Sequence, residues 1–119
     1  MSDESRWTVA GHDDHIVVRI NVAQFNQMRD IDQFGHTMDR AMKTHHASRV
    51  SIDLEQVEYI SSGILGWLAA LSKRLHDQSP AGRLHLYRVR PLIDQLCRQV
   101  CLDRTIEIHP PDEAPPMLA

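Results

Sequence analysis

Long apolar runs are missing from this sequence. No stretch approaches the roughly 20 consecutive apolar residues that a bilayer-crossing helix needs, and the opening MSDESRWTVAG is acidic and polar, unlike a signal sequence. The expectation is a cytoplasmic protein without membrane insertion. Basic density is missing too: thirteen Lys and Arg face sixteen Asp and Glu, a formal charge of −3 with no Lys/Arg cluster, so no nucleic-acid partner is expected. Cysteine is scarce. Cys97 and Cys101 are the only two, too few for a disulfide scaffold, and they read as reduced thiols with one or both facing the core.

The signatures of common catalysts are also absent. Around Ser62 the chain reads Ile60-Ser61-Ser62-Gly63-Ile64, which lacks the first glycine of the Gly-x-Ser-x-Gly nucleophile elbow. No Gly-rich phosphate loop with Lys-Ser/Thr follows a strand. Neither enzymatic activity nor a cofactor is expected. Histidine alone is plentiful, at eight. Yet His12 with His15, the adjacent His45 and His46, and the Cys97/Cys101 pair make no four-ligand set at a familiar spacing, so no metal is expected.

What is present suits a single domain. With 119 residues, 42% of them apolar and 24% charged, the chain can bury one core and not two. That domain is expected over residues 1–109, followed by a flexible Pro-rich tail, 110–119. Arg6 to Ala10 and the β-branched HIVVRI of His15 to Ile20 read as a hairpin turning at Gly11-His12-Asp13-Asp14. Ile31, Phe34, Met38, Ala41 and Met42 recur at helical spacing, predicting a helix from Ile31 to His45, capped by Asp30 or Asp32 and weakened at Gly35. Val50, Ile52 and Leu54 alternate with Ser51 and Asp53, the period of a strand near the sheet centre.

From Ser62 the period changes. Ile64, Leu68, Leu71 and Leu75 fall in one narrow sector of a helix, which Ser79-Pro80-Ala81-Gly82 should stop. Leu84 to Val89 is a further strand, and Pro91 opens a helix carrying Leu92, Ile93, Leu96, Cys97 and Val100. TIEIH closes as a short strand. The order ββαβαβαβ implies an α/β fold: a mixed sheet of four or five strands, opened by a hairpin, with the helices in right-handed crossovers.

The segment between the central strand and the next helix is the one that composition does not explain. A serine before a helix caps its unpaired N–H groups, and Ser61 or Ser62 fits that role. Glycine inside a helix costs about 1 kcal/mol against alanine, so Gly63 and Gly66 need a reason. Together with Ser62 and Ala70 they form a small-residue strip roughly opposite the core stripe, with Trp67 at the stripe's edge. Gly63 could relax the turn and Gly66 could lie under a neighbouring loop; alternatively, another protein's backbone lies over the strip.

An aliphatic strand ending in IDLEQVEYI, a serine-containing turn and a helix opened by Leu65-Gly66 resemble the STAS domain of anti-sigma factor antagonists. That family's run is an aliphatic strand with Asp, then Val-x-Phe-x-Asp-Ser-Ser/Thr-Gly-Leu-Gly; set against it without gaps, Asp53, Val57, Tyr59, Ser62, Leu65 and Gly66 match. The later LHLYRVRPLIDQLCRQVCLDRTIEI is similar to the family's closing pattern, so the resemblance spans residues 7 to 109. It implies a STAS-like fold and a partner, an anti-sigma factor that is a serine kinase, opposed by a phosphatase. It also implies that Ser62 is the phosphorylated serine, with Ser61 the alternative acceptor, and that unphosphorylated protein binds the partner and frees a sigma factor. The partner surface would comprise Ser61, Ser62, Gly63, Gly66, Trp67 and Ala70. Departures are Ser61 for the family's Asp, Gly63 for its second hydroxyl, Ile64 for its Gly, and a segment NVAQFNQMRDID without Gly-x-Leu-Asp. The lost Asp supports an alternative: a STAS subunit that is never phosphorylated and regulates a transporter or other partner complex. A third reading places a small anion at the same helix N-terminus.

Overall fold

The computed structural model describes residues 6–26, 28–78 and 82–116, except the side chain of His12. The expected helix stop at Ser79-Pro80-Ala81 and the last three tail residues lie outside the described residues. Among the described residues, seven strands and three α-helices follow in the order β1 (Trp7–His12), β2 (His15–Ile20), β3 (Gln24–Phe25), α1 (Met28–His45), β4 (Arg49–Asp53), β5 (Tyr59–Ile60), α2 (Ser62–Gln78), β6 (Arg83–Tyr87), α3 (Pro91–Gln99) and β7 (Glu107–Ile108), with a 3-10 turn at Leu102–Arg104 before β7. No helix among the described residues is long and apolar enough to cross a membrane.

Five strands form one sheet in the order β1-β2-β4-β6-β7, with β4 at its centre. β1 and β2 are the antiparallel hairpin, and every later neighbour is parallel, as expected when helices supply the crossovers. The register aligns Val18 with Ile52 and Ile52 with Leu86. One face of the sheet therefore carries Ile16, Val18, Val50, Ile52, Leu84 and Leu86, all buried in the hydrophobic core. α1 lies against β1 and β2, and α2 against β6.

The few aromatic residues are concentrated. Both tryptophans and both phenylalanines meet around Phe34, whose ring centroid is 5.2 Å from Trp7, 5.4 Å from Phe25 and 5.1 Å from Trp67. This cluster joins β1, β3, α1 and α2 into one unit, through tilted and edge contacts that aromatic rings favour.

Several local expectations are corrected. The hairpin turns at Asp13, which takes φ 54°, a conformation Asp tolerates. Gly11 is instead a strand residue beneath His45: an added Cβ would come within 2.2 Å of that ring's Nε2. α1 begins at Met28, so Asp30 and Asp32 lie inside it. Asp30 is buried and accepts hydrogen bonds from Arg6 Nε at 2.9 Å and Nη2 at 3.0 Å, tying the helix start to β1. α1 runs unbroken through Gly35, which lies under the Trp67 indole, where an added Cβ would just touch Nε1 at 3.4 Å. β6 stops at Tyr87 because Arg88 turns to φ 54°. In α3 only Ile93 and Cys97 bury fully, while Leu92 and Val100 are exposed, because nine residues present one short stripe and Val100 lies past its end. Cys97 is buried and Cys101 exposed, both as free thiols.

Phe34 touches three of the other aromatics, so Phe34→Ala should lower the unfolding free energy by about 3–5 kcal/mol. Urea denaturation should show that loss, with Phe34→Leu retaining most of the stability.

Candidate functional site

The site begins at a buried carboxylate. Asp53 ends the central strand β4 and is 2% exposed. It accepts hydrogen bonds from Arg88 through Nε at 3.2 Å and through Nη2, and from the backbone N–H of Glu55 at 3.0 Å. The hydrogen bond to Asp53 holds the Arg88 guanidinium above its ordinary pKa, with the Coulombic attraction of Asp53 and Glu55 adding to it. Arg88 also reaches the Glu55 carboxylate at 3.5 Å, and Arg90 Nε donates to the Glu55 carbonyl at 3.2 Å. Arg88 and Arg90 therefore clamp the loop that follows β4.

That loop is led back to the fold by backbone bonds. Leu54 N–H donates to the Tyr87 carbonyl at 3.0 Å, and the N–H groups of Glu58 and Tyr59 both donate to the Ala23 carbonyl. β5 then pairs with β3 in parallel, Gln24 opposite Tyr59 and Phe25 opposite Ile60. Two-residue strands carry no periodicity, so this small second sheet was not legible in the sequence. It delivers the chain to Ser61.

Ser61 is the N-cap of α2. Its Oγ accepts the Ile64 N–H at 3.2 Å and its carbonyl accepts the Leu65 N–H at 3.1 Å, the usual capping arrangement. Ser62 is thereby the first helical residue. It is exposed, and its hydroxyl has no hydrogen-bond partner among the described residues. Between the two candidate serines, the fold engages the hydroxyl of Ser61 and leaves that of Ser62 free.

The expected strip lies open along α2. Gly63, Gly66 and Ala70 are exposed with Ser62, while Ile64, Leu68, Leu71 and Leu75 are buried on the other side. The two glycines differ in cause. At Gly63 an added Cβ would sit 3.1 Å from Ile31 Cδ1, so α1 itself favours a small residue there. At Gly66 a Cβ would meet nothing within 4 Å. No loop among the described residues covers it, so a neighbouring loop there does not account for this glycine. Trp67 is half-buried and turned toward α1, packing on Phe34.

Beside the strip runs a shallow groove of about 260 Å³ lined by Ser62, Leu65, Gly66, Ala69, Val100 and Leu102. Val100, 58% exposed, forms its far wall. Two more apolar side chains stand out at this end, Tyr59 just before the cap and Met28 one turn before Ile31. The groove wall and these two residues escaped sequence reading because periodicity marks what is buried and says little about which apolar residues remain outside. A neutral hydroxyl, a bare stretch of helix backbone and an apolar groove thus lie side by side at this end of α2.

Comparison with known proteins agrees with this architecture. A family model described as "Mlab, STAS domain" matches residues 7–109. The anti-sigma factor antagonist SpoIIAA in its unphosphorylated form superposes with a TM-score of 0.73 at 13% identity, over 87% of this chain and 88% of that one. Phosphorylated SpoIIAA, a Bacillus cell fate determinant, gives 0.66 at 15% identity over 87% and 91%. An anti-sigma factor antagonist from Mycobacterium paratuberculosis gives 0.71 at 21% identity over 92% and 91%. No curated protein sequence matches the chain. At these identities the structural likeness establishes the fold.

Because Asp53 holds the loop that aims Ser61 and Ser62, Asp53→Ala should cost roughly 3 kcal/mol, the order found when a buried ion pair loses one partner. Hydrogen exchange should show the amides of residues 54–60 losing protection more than those of β2.

Proposed function

Since the chain belongs to the STAS-domain family, we propose that it is an anti-sigma factor antagonist, a cytoplasmic switch protein that binds an anti-sigma factor with serine-kinase activity and so frees a sigma factor. Ser62 is the phosphoacceptor in this reading, and the docking face is Ser62, Gly63, Gly66 and Ala70, framed by Ser61 and Trp67. The single observation that carries it is Gly66. A helix-interior glycine under open solvent lowers stability by about 1 kcal/mol relative to alanine, and no contact among the described residues requires it. A partner whose backbone closes on the strip would require it.

Phosphorylation suits the position. A phosphate on Ser62 adds a charge of about −1.5 to −2 at the N-terminus of α2, where free N–H groups and the helix dipole favour an anion. α2 has no acidic residue in its first turn to oppose it. The modification should therefore leave the fold intact and act at the interface, by placing bulk and charge where a partner must fit against the groove. The kinase partner would supply the nucleotide and a phosphatase would reset the switch.

A second reading is favoured by Ser61. Where the family pattern has a carboxylate before the phosphorylated serine, this chain has a hydroxyl that is engaged as the helix cap. On that reading the protein is a STAS subunit that is never phosphorylated and regulates a transporter or other partner complex through the same face.

Two variants test the docking face against the serine-kinase anti-sigma factor of the same cell. Ser62→Asp should weaken binding at least about 100-fold, some 2.7 kcal/mol, with circular dichroism and melting temperature nearly unchanged; tight binding by this variant would sink the switch. Gly66→Ala should raise stability by about 0.5–1 kcal/mol while weakening the complex. Mass spectrometry of protein isolated from its own cell separates the two readings, since stoichiometric phosphate on Ser62 is incompatible with the unphosphorylated subunit.

A further inference from the structure

β6 and β7 bring together three side chains that lie far apart in the sequence. Leu84 and Leu86 point into the core, so alternation sends His85 and Tyr87 to the opposite face of β6. The register sets Glu107 of β7 directly across from His85, and His109, whose N–H donates to the Leu86 carbonyl at 3.0 Å, follows beside them. His85 Nδ1 is 2.9 Å from His109 Nε2. Glu107 Oε2 lies 3.9 Å from the first nitrogen and 3.6 Å from the second.

The geometry points to a site for a divalent transition-metal ion of the Zn²⁺ type, bound by His85 Nδ1, Glu107 Oε2 and His109 Nε2. An ion with tetrahedral bonds of about 2.0–2.1 Å separates its ligand atoms by about 3.3–3.4 Å. The three observed separations bracket that value, so the rings need to part and the carboxylate to approach by about half an ångström. Two imidazoles and a carboxylate leave a fourth position for water, on the side of the half-exposed Glu107. Oxygen-only ions such as Mg²⁺ and Ca²⁺ are disfavoured by the two nitrogen ligands.

The surroundings support the ligands. Glu113, which folds back through a turn from Pro110, places Oε2 3.1 Å from the other ring nitrogen of His109. A carboxylate there keeps the proton on Nδ1 and leaves Nε2 with its lone pair, the partner arrangement that metal-binding histidines commonly have. Tyr87 stacks flat on the His109 ring at 4.0 Å and 9° and limits its rotation. Metal binding would then replace the hydrogen bond between the two rings. It requires that His85 move its proton from Nδ1 to Nε2. Burial, followed by the charge of Arg49, lowers the pKa of His85 to about 4, so its ring is neutral at physiological pH. Arg49 is the opposing cation, and the carboxylates of Glu107 and Glu113 outnumber it. An ion here would staple β7, the two-residue edge of the sheet, to β6.

The test uses the full untagged chain, titrated with Co²⁺ and followed by the visible absorption of a four-coordinate ion, then displaced with Zn²⁺. One ion should bind per chain, and Zn²⁺ should raise the melting temperature as a native-state ligand does. Glu107→Gln and His109→Gln should each weaken binding at least about 10-fold, and Glu113→Gln by about 10-fold through the second ligand sphere; His76→Gln, on exposed α2 surface, should change nothing. Glu107 is half-exposed, so its variant is expected to fold even where a histidine variant does not. Absence of a tetrahedral Co²⁺ spectrum, or binding unchanged in Glu107→Gln, would overturn the site and leave the two rings as a structural hydrogen-bonded pair.

Discussion

The Asp53 carboxylate at the end of the central strand is the constraint on which the candidate site depends. A buried charge is tolerated only when its lone pairs are met, and here Arg88 and the Glu55 N–H meet them. Satisfying Asp53 bends Arg88 into a left-handed conformation and ends β6. It also starts the loop whose backbone bonds to Ala23 and Tyr87 carry the chain to the β3/β5 pair and the Ser61 cap. The position of the exposed Ser62 hydroxyl is thus set by electrostatics several residues upstream.

α2 has a packed side and a bare side. Its buried stripe and the Ser72 hydroxyl, which donates to the Thr105 carbonyl at 2.8 Å, hold the helix to the sheet and to the turn before β7. Its outer side gives up helix propensity at Gly66 and offers little to bind within the chain. Gly63 and Trp67 belong partly to the first task, since Ile31 and Phe34 pack on them. Of the two glycines at the seam, Gly66 is the one at which no contact among the described residues calls for a small side chain.

The fold was largely legible in the sequence because its elements are long enough to show a period. β2, α1, β4, α2 and β6 each alternate or repeat with the core, and a right-handed crossover leaves few ways to order the strands. The capping serine and the bare strip also followed from spacing, since the sector opposite a core stripe is exposed by default. Shorter features escaped: β3 and β5 are two residues each, and α3 is too short for its period to tell the buried Ile93 and Cys97 from the exposed Leu92 and Val100.

The sequence by itself determined which residues would be buried along the longer strands and helices and that a serine would cap α2, because both depend on neighbours within one or two turns or strand pairs. Only the tertiary structure decided which serine keeps a free hydroxyl, that Arg88 meets Asp53, that Gly66 lies under solvent and not under a loop, and that His85, Glu107 and His109 converge. Each of these is a contact, or the lack of one, between segments far apart in the chain. Local pattern carries no record of such distances; strand register and crossover packing set them.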